Sequence, residues 1–249
     1  KLDFAILDVM IKDVDGFKEL FKRENEIGVN VSDENIEKFF VYMQLLLDWN
    51  GKINLTAITE ENQIIKKHFI DCLTISNLIK ENTKIIDVGT GAGFPGIPIA
   101  ITKNVQITLL DSLNKRINFL NEVKEKLNLK NTEIIHGRAE DFGRNIKYRE
   151  KFDVAVSRAV APMNVLLEYL LPFVKVGGCC ICMKGPRAFE ETEAAKNAMK
   201  LLGGEYEKTI NFKFEEDDVE RNIIVIKKVK NTNDKYPRKA GTPTKQPLL

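Results

Sequence analysis

The sequence predicts an α/β fold: a mostly parallel, seven-stranded sheet preceded by helices. Three observations predict it. An apolar run, Lys84–Val88, passes through Gly89-Thr90-Gly91-Ala92-Gly93-Phe94-Pro95-Gly96 into a second apolar segment, 97–101, which reads as a strand, a tight turn and a helix start. Strand-like and helix-like stretches then alternate as far as Met183, the pattern of a doubly wound parallel sheet. Finally, two alternating stretches, 206–214 and 222–229, follow one another with only an acidic loop (215–220) between them. Strands linked in that way pair antiparallel.

The helical front is read from residue 32. Ile36, Phe39, Phe40, Met43, Leu46 and Leu47 recur at helical spacing across 32–49, with Ser32, Asp33 and Glu34 as cap and acidic first turn. The polar break Asn50-Gly51-Lys52 leads through Ile53-Asn54-Leu55-Thr56-Ala57-Ile58 to a second helix expected over 61–79. His68 and Asp71 fall three apart on one face of that helix, and the spacing is read as a helix-face hydrogen bond or core packing. In the sheet, Gln106–Asp111 is the second strand, followed by a helix over 114–129 with Ile117, Leu120, Val123 and Leu127 inward. Thr132–His136 is the third strand, 152–156 the fourth and 179–183 the fifth, with helices over 165–174 and 189–202. The domains are therefore 1–80, a helical cap; 81–230, the sheet; and 231–249, a basic tail without apolar periodicity that reads as extended.

Composition bounds the class. With 43% hydrophobic and 30% charged residues over 249 positions, the chain is an ordinary globular protein with room for one full core. No apolar run reaches the ~18 residues that span a bilayer, and no leader-like pattern opens the chain, so a cytoplasmic location is expected. Cys72, Cys179, Cys180 and Cys182 lack disulfide spacing, and with His68 and His136 the only histidines no metal site is expected. The cysteines read as reduced packing residues. Met10 is the expected natural start, with 1–9 as an addition, and a monomer is the expected state. The net charge of +2 hides an acidic head, with 13 acidic and 7 basic side chains in 1–62, and a basic tail, with 8 basic side chains against Asp234 alone in 221–249. Such a tail suits a phosphate partner through counterion release, and a merely solvated tail has the same composition.

The glycine turn formally matches the dinucleotide fingerprint through Gly91, Gly93 and Gly96, so NAD and S-adenosylmethionine both come into view. Asp87, at the strand end, disfavours a pyrophosphate but suits a ligand carrying an ammonium group. Asp111 ends the next strand about 20 residues on, where such folds hold an acid for ribose hydroxyls; both cofactors use it. The order of elements separates them. Five β-α units closed by a strand pair describe the Rossmann-like sheet of class I methyltransferases, whereas a dehydrogenase would need a further substrate domain. The turn Gly137-Arg138-Ala139-Glu140-Asp141-Phe142, directly after the third strand, falls where the adenine would lie.

The fourth strand ends in Ser157-Arg158-Ala159-Val160-Ala161-Pro162. It lacks the Asp/Asn-Pro-Pro-aromatic turn of exocyclic amine methylation and a cysteine for pyrimidine C5, and of a ribose-methylating lysine tetrad only Lys184 could be a member. Guanine N7 carries an unprotonated lone pair and needs alignment but no general base. Missing base machinery fits N7, and fits a thiol-like small acceptor as well.

The chain resembles the small-subunit ribosomal RNA guanine-N7 methyltransferase G family, also called glucose-inhibited division protein B. The likeness runs from Leu46-Leu47-Asp48-Trp49-Asn50, Asn54-Leu55-Thr56 and His68-Phe69-Ile70-Asp71 through the 87–96 turn, Arg138-Ala139-Glu140, Ser157-Arg158-Ala159 and Lys184-Gly185. It ends at Tyr236-Pro237-Arg238-Lys239-Ala240-Gly241-Thr242-Pro243, and leaves 1–31 outside. The resemblance implies methyl transfer from S-adenosylmethionine to N7 of one guanine in the decoding region of bacterial 16S ribosomal RNA, with the small subunit or its RNA as partner. By position it implies cofactor contacts from Gly89, Phe94, Ala139, Glu140 and Arg158, to which Asp87 (methionine side), Gly91, Gly93 and Asp111 (ribose) are added from the turn itself. Lys184, Arg187, Arg238, Lys239 and Lys245 are candidate phosphate contacts, and Arg158 a candidate for orienting the guanine. Three other classes predict different behaviour. A small-molecule methyltransferase would ignore RNA, a nicotinamide oxidoreductase would bind NAD, and a non-catalytic RNA-binding protein would transfer nothing.

Overall fold

The computed structural model describes residues 4–25, 27–214 and 220–249, and for 4–13 the backbone alone. The predicted acidic loop therefore lies, except for Glu220, outside the described residues.

Helix α1, Phe4–Glu24, was not anticipated from the sequence. Its Phe17 and Phe21 rings pack 5.3 Å and 5.2 Å from Phe40 and Phe39 of α2, Asp33–Ile53. Ser32 caps α2, its side chain accepting from the Asn35 N–H at 3.3 Å. The break expected at Asn50-Gly51-Lys52 is absent. The helix runs through it and stops at Asn54, which takes the left-handed conformation (φ 51°) that Asn tolerates. The next helical segment also departs from expectation. A short α-turn, Glu61–Ile64 (α3), widens into a π-helical stretch, Ile65–Ile70, before Asp71–Leu73 (α4) and a 3₁₀ turn, Ser76–Leu78. A π stretch breaks the 3.6-residue register.

Strands β1 (Lys84–Val88), β2 (Gln106–Asp111), β3 (Thr132–His136), β4 (Phe152–Arg158), β5 (Val174–Lys184), β6 (Gly204–Phe212) and β7 (Arg221–Lys228) form one sheet in the order β3-β2-β1-β4-β5-β7-β6. The first five pair in parallel, whereas β7 pairs antiparallel with both β5 and β6. This is the mixed seven-stranded sheet that the sequence predicts. Between the strands lie α5 (Gly96–Thr102), α6 (Asn114–Lys126), α7 (Ala139–Phe142), α8 (Met163–Leu170), α9 (Ala188–Ala194) and α10 (Lys196–Leu202); the last two replace the single helix expected over 189–202.

The sheet buries both faces. Alternation along β1 sends Ile85 into a core shared with Phe39, Tyr42, Phe69 and Leu120, and Ile86 into a second core with Leu166, Leu170 and Ile224. The N-terminal helices thus share a core with the sheet. Tyr42 donates its hydroxyl to the Ala92 carbonyl, and Trp49 Nε1 donates to Glu122 of α6 at 2.8 Å. The four cysteines are free, with Cys72, Cys180 and Cys182 buried as packing residues. Among the described residues no helix is long and apolar enough to cross a membrane.

The tail is not the extended segment expected. Arg149 donates to the carbonyls of Thr232 (2.6 Å) and Tyr236 (2.8 Å), and Arg144 Nε to that of Pro237 (2.7 Å). Beyond Pro237 the chain crosses α8 and ends in the short helix α11, Thr242–Lys245. Docking through arginines and backbone carbonyls leaves no apolar period to read, which is why composition alone suggested a solvated tail.

Candidate active site

Because β1 and β4 are neighbours while the strands on either side run outward in chain order, the connections leaving them diverge. They open a crevice at the carboxyl ends of the sheet. A cleft of ≈ 530 Å³ occupies that point. Gly89 and Gly91 of the turn, with Phe94, form its floor, and Asp111 and Arg116 one side. Gly89 must be glycine: at φ +71° a Cβ would come within 2.7 Å of Val160 Cγ2. Gly91, at φ +62°, borders open space. Arg138, Ala139, Glu140 and Tyr169 make the far wall, and Thr56, His68, Arg158 and Ala159 the near one.

Asp111, placed in the cleft as expected, is held from three directions. Its Oδ2 accepts from the Gly91 N–H (2.9 Å) and Arg116 Nη1 (3.2 Å), and Oδ1 from the Leu113 N–H (2.9 Å). Asp87 sits elsewhere than expected. Its carboxyl is fully buried under the turn, where Oδ2 accepts from Thr90 Oγ1 (2.7 Å) and the Gly96 N–H (2.8 Å); it does not line the cleft. Burial pushes it up to about 7 against the pull of those two hydrogen bonds. Asp87 thus fastens the turn to its strand. Gly93 also faces away from the cleft, its Cα hydrogen within a packing contact where a Cβ would lie 2.5 Å from Ile97 Cγ1 and 2.8 Å from Tyr42 Oη.

Arg158 ends β4 at the centre of a network that joins sheet and helices. Nη1 donates to Asp71 Oδ2 (2.9 Å) and to the Lys67 carbonyl (3.1 Å), and Nη2 lies 3.2 Å from His68 Nδ1. Asp71 is buried and its other oxygen accepts from Arg221 Nε of β7 at 2.9 Å. His68 Nδ1 also lies 3.2 Å from the Lys67 carbonyl, and Nε2 2.8 Å from Thr56 Oγ1. Burial and the Arg158 charge push the imidazole down to about 4. Arg158 and His68 both pack on the Phe94 ring, at 4.7 Å and 4.6 Å from its centroid. His68 and Asp71 do share one face, as expected, but each meets Arg158 and no side-chain hydrogen bond joins the two. Ala159 follows at φ +54°, a conformation that costs alanine about 1–2 kcal/mol and belongs with strain stored at functional sites. Beyond Arg158 and Ala159, which border both spaces, lies a second cavity of ≈ 190 Å³ lined also by Asp71, Met183 and Asn222.

The structure separates the candidate phosphate contacts into two groups. Arg187, Lys239 and Lys245 are exposed. Lys184 is tied to the Ala161 carbonyl and to Glu191 (2.7 Å), and Arg238 to the fully buried Glu168 (Nη2 to Oε2, 2.6 Å). These two form ion pairs, because each faces a carboxylate brought in by a neighbouring helix. Sequence reasoning passed over Thr56, Arg116, Ala159, Val160 and Tyr169 as lining residues. Of these only Thr56 and Ala159 stood in a motif segment.

A family model described as rRNA small subunit methyltransferase G matches residues 35–224. A protein named ribosomal RNA small subunit methyltransferase G from Acetivibrio thermocellus is 53% identical over 93% of this chain and 96% of its own. One of the same name from Clostridium novyi is 48% identical over 100% of this chain and 98% of its own, which carries the likeness through residues 1–31 as well, including those before Met10. In fold, the chain is similar to M. jannaschii TYW2 in complex with AdoMet, with a TM-score of 0.52, 15% identity and coverage of 64% and 75% of the two chains. On the match across its sheet domain and the identity along nearly its whole length, the chain belongs to the rRNA small subunit methyltransferase G (GidB) family.

Proposed function

We propose that the cleft binds S-adenosylmethionine and that the protein methylates N7 of a guanine in the decoding region of small-subunit ribosomal RNA. The residues fit the cofactor. A glycine floor with open space above Gly91 admits a ligand against backbone, the Asp111 carboxylate stands where ribose hydroxyls arrive, and the segment after β3 offers a wall for a flat base. Bound there, S-adenosylmethionine supplies an electrophilic methyl group.

One observation carries the choice of acceptor. Among the described residues, the titratable groups beside Arg158 where the cleft meets the second cavity are already committed: Asp71 to two guanidiniums, and His68, held neutral, to Arg158 and Thr56. A nucleophile that had to lose a proton would find no partner among these. Guanine N7 attacks with a lone pair and asks only for alignment. Arg158, stacked on Phe94 and anchored by Asp71, can hold the base while leaving the N7 lone pair free, since arginine donates to O6 or stacks on the ring. Arg187, Lys239 and Lys245 remain for the RNA backbone.

The test is methyl transfer from labelled S-adenosylmethionine to small-subunit RNA, and to small subunits lacking the modification. Incorporation into one of these RNA forms is expected. Cofactor binding without incorporation into any RNA would overturn the acceptor, and failure to bind the cofactor would overturn the reading of the cleft.

A further inference from the structure

The family match ends at residue 224, yet the chain continues and its end docks beside the cleft. Two residues of the far wall are held from behind by that end. Glu140 is buried and its Oε1 accepts from the Gly241 N–H at 2.9 Å; Tyr169 of α8 shares a hydrogen bond with Thr244 Oγ1 at 3.0 Å. Pro237 abuts the end of α7, close enough that a Cβ on Gly143 would lie 3.0 Å from its Cγ. The Arg238 backbone N–H, Nε and Nη2 all donate to Glu168, the neighbour of Tyr169, at 2.7, 2.9 and 2.6 Å.

We propose that the C-terminal segment 236–249 is a built part of the cofactor site, with Gly241 and Thr244 as positioning residues that hold Glu140 and Tyr169 and so set the adenosine-side wall. This rests on the S-adenosylmethionine reading above. Glu140 gives Oε1 to the tail, and that bond fixes the backbone of the Arg138–Ala139–Glu140 turn. The basic tail then has two roles that separate by residue: Gly241 and Thr244 for the cofactor wall, Lys239 and Lys245, both exposed, for solvent and RNA.

Neither Gly241 nor Thr244 lines the cleft, so altering them removes no direct ligand contact. Gly241 holds φ +81°, which alanine resists, with no clash from the added methyl. In the full-length protein, the double variant Gly241→Ala/Thr244→Val should bind S-adenosylmethionine and 5′-methylthioadenosine, which shares only the adenosine half, with affinities about three- to tenfold weaker. Thr244→Ser should bind as wild type, because the hydroxyl is kept. Calorimetric titration beside a thermal melt reads this out. Thr244→Val alone, a change at an exposed position, serves if the double variant fails to fold, with a loss of about two- to threefold expected. Wild-type affinity in the folded variants would overturn the proposal, as would a loss for S-adenosylmethionine that spares 5′-methylthioadenosine. Should the wild-type protein itself bind neither ligand, the cofactor reading fails and not the tail's part in it.

Discussion

At the scale of residues the site is organised by Arg158, whose guanidinium touches the cap through Lys67, His68 and Asp71 and the turn through Phe94. Replacing it with alanine leaves Asp71 still neutralised by Arg221, so the fold survives. Methyl transfer should fall about 100-fold through lost alignment. Wild-type turnover by Arg158→Ala would remove the residue from the reaction. Two buried groups give a pH signature with opposite signs. His68 is lowered to about 4 from 6.5, so the unfolded chain binds the extra proton, and its contribution to stability is present above 6.5 and lost as pH falls toward 4. Asp87 is raised from 3.8 to about 7, so the folded chain holds the extra proton, and its contribution is present below 3.8 and lost as pH rises through 7. Denaturant unfolding at several pH values should therefore show wild type losing ground to His68→Gln as pH falls, and losing ground to Asp87→Asn as pH rises. Curves that stay parallel would contradict the assignments. The cleft positions of Gly91 and Asp111 were legible from the glycine turn and the strand end, whereas Gly89, Phe94 and Arg158 came by position from the family resemblance. The partners of Arg158 were not legible, since spacing puts His68 and Asp71 on one face but does not say which strand end that face meets.

The glycine turn is the element on which cleft and core meet, and its glycines divide between the two. Gly93 backs onto Ile97 and Tyr42, so Gly93→Ala should lower stability by about 2–4 kcal/mol through overpacking and a φ of +98° that alanine resists. Gly91 borders open space in the cleft. Gly91→Ala should carry only the left-handed penalty of about 1–2 kcal/mol while weakening cofactor binding by an added methyl in the ligand's path. Thermal melts paired with ligand titration separate the two; equal effects on both properties would mean that the turn acts as one unit. The fingerprint G-x-G-x-x-G cannot make this distinction, because it records backbone freedom and not which way each missing side chain would point. Asp87 was misplaced for a related reason. A carboxylate at a strand end can face the ligand or cap the following helix, and only the turn's path, which brings the Gly96 N–H to 2.8 Å, selects the second.

Taken whole, the molecule is a mixed sheet in the order β3-β2-β1-β4-β5-β7-β6, whose seven strands and antiparallel closing pair were readable from alternating elements while their order was not. Its two ends were less readable. The N-terminal helices proved to share one hydrophobic core with the sheet, through Tyr42, Phe69 and Trp49. The basic tail proved to be docked, through Arg149, Arg238 and Gly241, in contacts that leave no periodic trace. Both ends converge on the crevice, the N-terminal region supplying Thr56 from a loop and His68 from the π stretch to one wall and the tail bracing the other, while Arg187, Lys239 and Lys245 stay exposed. The central claim is that this crevice aligns guanine N7 and performs no deprotonation. The measurement that tests it most directly is chemical cleavage specific for N7-methylguanine, applied to unmodified small-subunit RNA or particles after incubation with the protein and S-adenosylmethionine. The account predicts one enzyme-dependent cleavage, in the decoding region. A methylated RNA that resists this cleavage, with the label on an exocyclic amine, a carbon or a ribose, would contradict it.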